Sequence, residues 1–228
     1  MTEALLVNRL AKLFRQEGFL TQKEVGVGYG VADLVLIDTN KVNREHCALR
    51  QGYRQYSRLL RDEYFRVLFN LPDIESGQLV DLQTLVARTG LSASLIKYTI
   101  LKNLRRNGFI DQIDGRFFCK VNGWMPLAKE IIAIEAKLRD WKSGTFQAIR
   151  YKTFANKVYL AVPQETEKNV DRSMLKRHNV GLIVLQGGGN DKRVAIQARG
   201  AMPQNKFKNG MAIEYFWQRG KLRESATF

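Results

Sequence analysis

Cysteine, histidine and proline are scarce in this chain: 2, 2 and 4 among 228 residues. Cys47 and Cys119 lie far apart, which excludes a disulfide framework, and with so few histidines they leave no set of zinc ligands. His46 and His178 have no matching partners and are read as non-catalytic. No apolar stretch approaches the ~20 residues that cross a bilayer. The segment Met1-Thr2-Glu3-Ala4-Leu5-Leu6 lacks the basic start, apolar run and cleavage site of a signal peptide. A reducing, cytoplasmic setting is expected. No internal repeat or low-complexity tract stands out. A Gly-rich phosphate loop before a helix is also missing, which argues against a hydrolase of small phosphates.

Acids are outnumbered. Asp and Glu total 22 against 37 Lys and Arg, for a formal net charge of +15 and a pI near 10.0. Such an excess points to a polyanionic partner. Nucleic acid leads, because counterion release rewards a Lys/Arg-rich face wherever phosphates line up. An anionic membrane surface is the runner-up, but no basic amphipathic helix flanked by an anchor is found.

Along the chain, Leu6, Leu10, Leu13 and Phe14 are spaced for one face of a helix over residues 3–16, stopped by Gly18. A strand over residues 19–27 and a Gly-rich turn at 26–30 follow. Val31 to Ile37 is a nearly continuous apolar run interrupted by one acid, Asp33. Arg44 to Arg66 reads as a basic helix with Tyr53, Tyr56, Tyr64 and Phe65 interleaved among Arg50, Arg54, Arg58 and Arg61. A helix from Leu82 to Arg88 stops at Thr89-Gly90, and a second starts at Ser92 as N-cap and runs to about Asn107. A hairpin over 109–121 turns at Asp114-Gly115. Later expectations are strands at 131–136, 157–162, 181–185 and 193–198, and helices at 145–155 and 171–178. Gly187-Gly188-Gly189 reads as a flexible turn, and the tail after Gly200 has no clear assignment.

The stretch from Phe65 to Val121 resembles a winged helix-turn-helix domain. The resemblance rests on Leu82-Gln83-Thr84-Leu85-Val86-Ala87-Arg88-Thr89-Gly90-Leu91-Ser92 and on Leu101-Lys102-Asn103-Leu104-Arg105-Arg106-Asn107-Gly108-Phe109-Ile110. It implies that Ser92, Ser94, Lys97 and Tyr98 face the major groove, with Arg105, Arg106 and Arg116 near phosphates.

A second pattern is split across that stretch. Gly30-Val31-Ala32-Asp33-Leu34-Val35-Leu36-Ile37 precedes it; Ile131-Ile132-Ala133-Ile134-Glu135-Ala136-Lys137 and Gln147-Ala148-Ile149-Arg150-Tyr151 follow it. Period two in a strand puts Glu135 and Lys137 on one face. An acid heading an apolar strand, a strand ending in Glu-x-Lys and a helical Gln-x-x-x-Tyr together resemble the PD-(D/E)XK nuclease superfamily, in its RecB-like branch. Ala32 stands where the family name carries proline.

The resemblance implies an α/β fold: a mixed central sheet flanked by helices, a restriction-endonuclease-like core of residues 1–40 and 126–228. A helical segment and winged-helix domain over 41–125 would be inserted in it. It implies a metal-dependent DNA endonuclease using Mg²⁺ or Mn²⁺ held by Asp33, Glu135 and the Ala136 carbonyl. Lys137 would position or deprotonate the attacking water, or neutralise charge on phosphorus. Gln147 and Tyr151 would orient that lysine or hold the DNA backbone, with Arg150 and Lys152 nearby. Glu3, from the first helix, would add a third acid. The alternatives are a catalytically silent DNA-binding regulator and a protein-binding adaptor of a larger DNA-processing complex. A homodimer would suit cleavage of both strands.

Overall fold

A computed structural model describes residues 1–28, 30–121, 126–186 and 191–218. In chain order, α1 (Glu3–Gln16) leads into the strands β1 (Phe19–Gly26) and β2 (Val31–Asp38). Then come α2 (Arg44–Gly52), α3 (Asp62–Leu68), the short β3 (Val80–Asp81) and α4 (Leu82–Thr89). A π-helical stretch, Leu95–Leu101, continues into α5 (Lys102–Arg106), followed by β4 (Ile110–Ile113) and β5 (Phe117–Lys120). The chain proceeds through β6 (Ile132–Ala136), α6 (Trp141–Arg150), β7 (Lys157–Pro163), α7 (Gln164–Glu167) and α8 (Arg172–Arg177). It ends with β8 (Gly181–Gln186), β9 (Asp191–Ile196) and α9 (Lys206–Gln218). Among the described residues no helix is long and apolar enough to cross a membrane.

The chain divides into two compact units, Met1–Val42 with Ala128–Phe216, and Asn43–Leu127 together with Trp217. An isolated antiparallel bridge, Val42↔Ala128, brings the two ends of the first unit's interruption side by side. The tail does not belong wholly to the first unit, as the sequence suggested: the Trp217 indole N–H donates to the Gln55 carbonyl at 3.0 Å.

The first unit is α/β, with a mixed six-stranded sheet ordered β1-β2-β6-β7-β8-β9 and flanked by helices. β6, β7 and β8 run parallel; β1, β2 and β9 pair antiparallel to their neighbours. Strands alternate side chains between two faces. One face offers Leu34, Leu36, Ile134, Ala136, Tyr159, Ala161, Ile183 and Leu185 to the buried stripe Leu6, Val7, Leu10, Ala11 and Phe14 of α1. Each fully buried aliphatic there contributes about 1.5–3 kcal/mol, and Leu10→Ala would cost about 2–5 kcal/mol. Asp33 and Glu135 alternate with these residues and therefore lie on the opposite face.

Several sequence expectations need correction. Asp140 Oδ1 accepts the Ser143 N–H at 3.1 Å, so α6 starts at Trp141 rather than 145. Beyond Arg150 it tightens into a 3₁₀ turn, Tyr151–Thr153. Beyond Gly200, Lys206–Gln218 forms α9. The expected Gly187–Gly189 turn lies outside the described residues.

In the second unit, the basic helix expected over 44–66 is broken. α2 ends at Gly52, Arg54 takes a left-handed φ of 54°, and α3 begins only at Asp62. Arg50 points inward, 1% exposed, its guanidinium 5.1 Å from the Phe109 ring centroid and 4.7 Å from that of Trp217. It donates to the carbonyls of Gln55 (3.1 Å) and Ser57 (2.8 Å). Its charge holds the interior together and is not offered to a partner.

α4 begins where Asp81 Oδ1 accepts the Thr84 N–H at 2.9 Å and stops where Gly90 turns left-handed at φ 68°. The next helix is not a regular α-helix: its first half widens to π geometry, while Ile96, Ile100, Leu101 and Leu104 stay buried. β4 and β5 form a hairpin whose turn residues Asp114 and Gly115 both have positive φ, 51° and 66°. Together with β3 they make a three-stranded sheet ordered β3-β5-β4.

Candidate functional site

The β2–β6 register runs Leu36↔Ile132, Val35↔Ala133, Leu34↔Ile134, so one further step would face Asp33 with Glu135. The ladder stops there. Asp33 Oδ2 accepts the Ala136 N–H at 2.8 Å, a side chain taking the place of a main-chain partner. On the other side of β2, Lys23↔Leu34 and Val25↔Ala32 leave Glu24 opposite Asp33. Glu24 has a left-handed φ of 53°, a conformation costing roughly 1–3 kcal/mol for a non-glycine residue. Both ladders are thus irregular at the one acid inside the apolar run Val31–Ile37.

Glu135 is 1% exposed, and both of its carboxylate oxygens are engaged. Oε1 lies 2.9 Å from Lys137 Nζ, and Oε2 lies 2.5 Å from the Tyr151 hydroxyl. That hydroxyl is also 2.7 Å from the Val31 carbonyl. A phenol has one proton, so the Tyr151 hydroxyl shares it between the Glu135 carboxylate and the Val31 carbonyl. Lys137 Nζ reaches Glu3 Oε2 at 3.7 Å, and Glu3 Oε1 accepts the Leu138 N–H at 3.4 Å.

The electrostatics follow from this packing. Burial is the largest influence on Asp33 and raises its pKa, helped by the charges of Glu3 and Glu24 and opposed by the Ala136 N–H and Lys137. Burial likewise raises Glu135, against the hydrogen bonds from Tyr151 and Lys137. For Lys137 burial acts downward, but the bond to Glu135 and the charges of Glu135, Glu3 and Asp33 overcome it, and the net shift is upward. Burial and then Glu135 push the Tyr151 phenol up.

α6 closes over this cluster through Gly144, Ala148 and Tyr151. A Cβ at position 144 would lie 2.6 Å from Lys137 Cγ and 2.8 Å from Leu160 Cδ1. Gly144 therefore lets the lysine stem pass beneath the helix. Gln147, one turn before Tyr151, has a buried Oε1 with no hydrogen-bond partner.

Asp33, Glu135, Lys137, Tyr151 and Glu3 are thus linked by contacts, with Gln147 on the covering helix. Tyr151 holds the glutamate rather than orienting the lysine. Lys152 is directed elsewhere: its ammonium donates to the His178 carbonyl, and burial lowers its pKa. Arg150 is exposed, and a Cβ at Gly30 would lie 4.0 Å from its NH2 and 3.7 Å from Tyr151 Cε1. Sequence reasoning missed Gly144, Glu24 and the Val31 carbonyl. A signal existed for Gly144, since glycine inside a helix costs about 1 kcal/mol against alanine and needs a reason. Glu24 and Val31 carry none.

Among the described residues, no group of three or more His, Cys, Asp or Glu side chains is disposed to hold a metal ion. The oxygens of Asp33 and Glu135 and the unpartnered Gln147 Oε1 are nonetheless hard donors of the type Mg²⁺ and Mn²⁺ take. Mg²⁺ commonly uses one or two carboxylates and fills its shell with water and phosphate oxygens, and Asp33 and Glu135 are the two carboxylates at this strand end.

The second unit holds a groove of about 930 Å³ lined by Lys97, Tyr98, Lys102, Arg105, Arg106 and Arg116, with Asp81 and Gln83 at one side. Tyr98 is 66% exposed, with Lys97 Nζ 5.1 Å from its ring centroid. Arg105 donates to Gln112 Oε1 at 2.7 Å, and Arg116 sits 3.9 Å from Asp81. Ser92 and Ser94 are exposed but do not line the groove. The Ser92 hydroxyl instead accepts the Leu95 N–H at 3.4 Å. Lys102 is a lining cation that sequence reasoning did not single out.

No protein-family model and no curated protein matches the chain. A search of solved structures finds a likeness to the SPO1766 protein of unknown function from Silicibacter pomeroyi, at 10% identity and a TM-score of 0.45. It covers 100% of this chain and 96% of that one.

Proposed function

We propose that the chain is a metal-dependent DNA endonuclease of the PD-(D/E)XK kind, with a restriction-endonuclease-like core in its first unit. The second unit acts as an inserted winged helix that supplies DNA affinity. The observation that carries this reading is the opening of the β2–β6 ladder at half-buried Asp33, where the buried Glu135 and a lysine converge on one strand end.

Asp33 and Glu135 would hold Mg²⁺ or Mn²⁺, with the Ala136 carbonyl as a third oxygen. When bound, the ion polarises the scissile phosphate and lowers the pKa of a water molecule. Lys137, kept charged by Glu135 and Glu3, offsets the negative charge that builds on the phosphate and orients the attacking water. Tyr151 fixes one Glu135 oxygen against the Val31 carbonyl, so the carboxylate keeps its orientation when Lys137 turns toward substrate. Gln147 directs an oxygen without a partner from the covering helix. In the second unit, Lys97, Lys102, Arg105, Arg106 and Arg116 supply phosphate contacts, and Tyr98 lies among them as the exposed aromatic. The clustering of these cations around a concave surface supports the DNA reading over that of a solvated basic face.

A second reading, a catalytically silent DNA-binding protein on the same scaffold, is favoured by one observation: both Glu135 oxygens are already engaged by protein groups. Cleavage of linear, nicked, single-stranded and branched DNAs with Mg²⁺ or Mn²⁺ separates the two. Metal-dependent cutting by wild type, lost in Glu135→Ala and Lys137→Ala, supports the nuclease. Tight, salt-sensitive binding without cutting supports the silent protein.

A further inference from the structure

We infer that the outer face of α6 is a track for single-stranded DNA, with Phe146 as its base-stacking platform; this rests on the nucleic-acid reading above. Gly144, Ala148 and Tyr151 face inward, which turns Lys142, Ser143, Phe146 and Arg150 outward, all exposed. Residues four apart on a helix are neighbours, so the ring is flanked on both sides by a cation. The Phe146 side chain is 56% exposed although Thr145 and Ala148 beside it are buried. Arg139, just ahead of the helix, is exposed too. Among the described residues Arg139, Lys142 and Arg150 form no ion pair. Asp140, next to Arg139 in the chain, accepts the Ser143 N–H at the helix start, and Lys142 Nζ lies 5.7 Å from the Trp141 ring centroid.

A large aromatic ring open to water between cations that form no ion pair matches what a single strand presents: flat apolar base faces alternating with phosphates. In an intact duplex the base faces are covered by one another, and a ring on a convex helix has nothing to stack on. One isolated phenyl group also offers too little apolar area for a stable protein interface, whose core is depleted of charge. Lys142 and Arg150 are about 12 Å apart along the helix, so a strand laid between them places a base over the ring. Arg150 NH2 and Tyr151 Cε1 both approach Gly30, which sets the end of this track beside the residue that holds Glu135. The substrate class that follows is a single-stranded segment or a frayed end.

The test uses the full chain in EDTA with a short oligonucleotide containing 2-aminopurine, single-stranded or annealed. Wild type should quench the fluorescence of the single strand. Phe146→Ala should weaken single-strand binding roughly ten-fold, leaving duplex affinity and salt dependence unchanged, while Phe146→Trp retains binding. Lys142→Ala and Arg150→Ala should each lower the salt slope by about 0.7. Single-strand binding by Phe146→Ala equal to wild type, or an equal loss on single strand and duplex, overturns the track. So does a Phe146→Ala protein whose oligomeric state differs by light scattering, since the ring would then be covered by a second copy. The outcomes separate from those of the nuclease reading. Phe146-dependent quenching by a protein that cuts no DNA keeps the track and removes the nuclease. Cutting together with unaltered quenching by Phe146→Ala does the reverse.

Discussion

At the end of β6 the charges are turned on one another: Lys137 bonds Glu135, Glu135 accepts from Tyr151, and Asp33 takes a main-chain N–H. In the groove of the second unit the charges are mostly positive and face water, with Asp81 and Gln112 as the counterparts in contact. The first arrangement stores geometry, because each group's position depends on its partner in a poorly solvated site. The second stores attraction, because uncompensated cations act over a Debye length and lose strength as salt is added. Buried charge is therefore sensitive to a single atom, and exposed charge to the sum.

The sharpest way to break this contrast is to remove one buried partner. Glu135→Ala and Lys137→Ala should each lower metal-dependent DNA cleavage about a thousand-fold or more, with DNA affinity in gel shift within a factor of about two of wild type. Comparable residual cleavage would mean the cluster is structural. Next in size is Tyr151→Phe, which frees one Glu135 oxygen without altering shape and should cost about 10–100-fold in cleavage. Gly144→Ala should fall in the same range by displacing Lys137 and should also lower stability by about 1–3 kcal/mol, read from urea denaturation. Groove substitutions are individually mild: Lys97→Ala, Lys102→Ala or Arg106→Ala should each reduce the duplex salt slope by about 0.9, without changing cleavage at saturating DNA. A larger effect of Arg106→Ala on cleavage than on binding would erase the distinction between the two regions.

The smallest effect is on stability. Burial raises the Asp33 pKa above its ordinary 3.8, so the folded state holds a proton that the unfolded chain has lost. The contribution of Asp33 is therefore full below its unfolded value and declines as pH rises through the raised value. Asp33→Asn keeps an oxygen for the Ala136 N–H and removes the buried charge. It should melt about 2–4 °C above wild type at neutral pH, with the difference vanishing in acid.

Much of the first unit was legible in the sequence because strand runs such as Val31–Ile37 and Ile131–Ala136 have no helical alternative of the right length. Asp33, Glu135 and Lys137 were legible as interruptions of apolar runs, since a charge there needs an explanation. What escaped depends on the third dimension. Whether Tyr151 serves the lysine or the glutamate is decided by the depth of α6, which Gly144 sets. Lys152, two residues beyond Arg150, follows a 3₁₀ turn to the His178 carbonyl. Arg50 looked like part of a basic face because nothing in its neighbourhood of sequence reveals Phe109 or Trp217. The π-helical widening of Leu95–Leu101 leaves the apolar spacing almost unchanged, so periodicity could not announce it.

The Val42↔Ala128 bridge has a consequence for how the chain comes into being. During synthesis β1 and β2 are complete long before β6 emerges, and the 85 residues Asn43–Leu127 are made in between. Until then the edge of β2 that β6 will cover carries Leu34, Val35 and Leu36 with unpaired main-chain groups, the type of edge that recruits foreign strands. A nascent hairpin of this kind is protected by speed or by a chaperone. Early folding of residues 43–127, before Trp217 arrives to complete that unit, would shorten the wait by holding residues 42 and 128 close together, turning a long loop closure into a short one. The inserted unit would then act as a clasp for the sheet it interrupts.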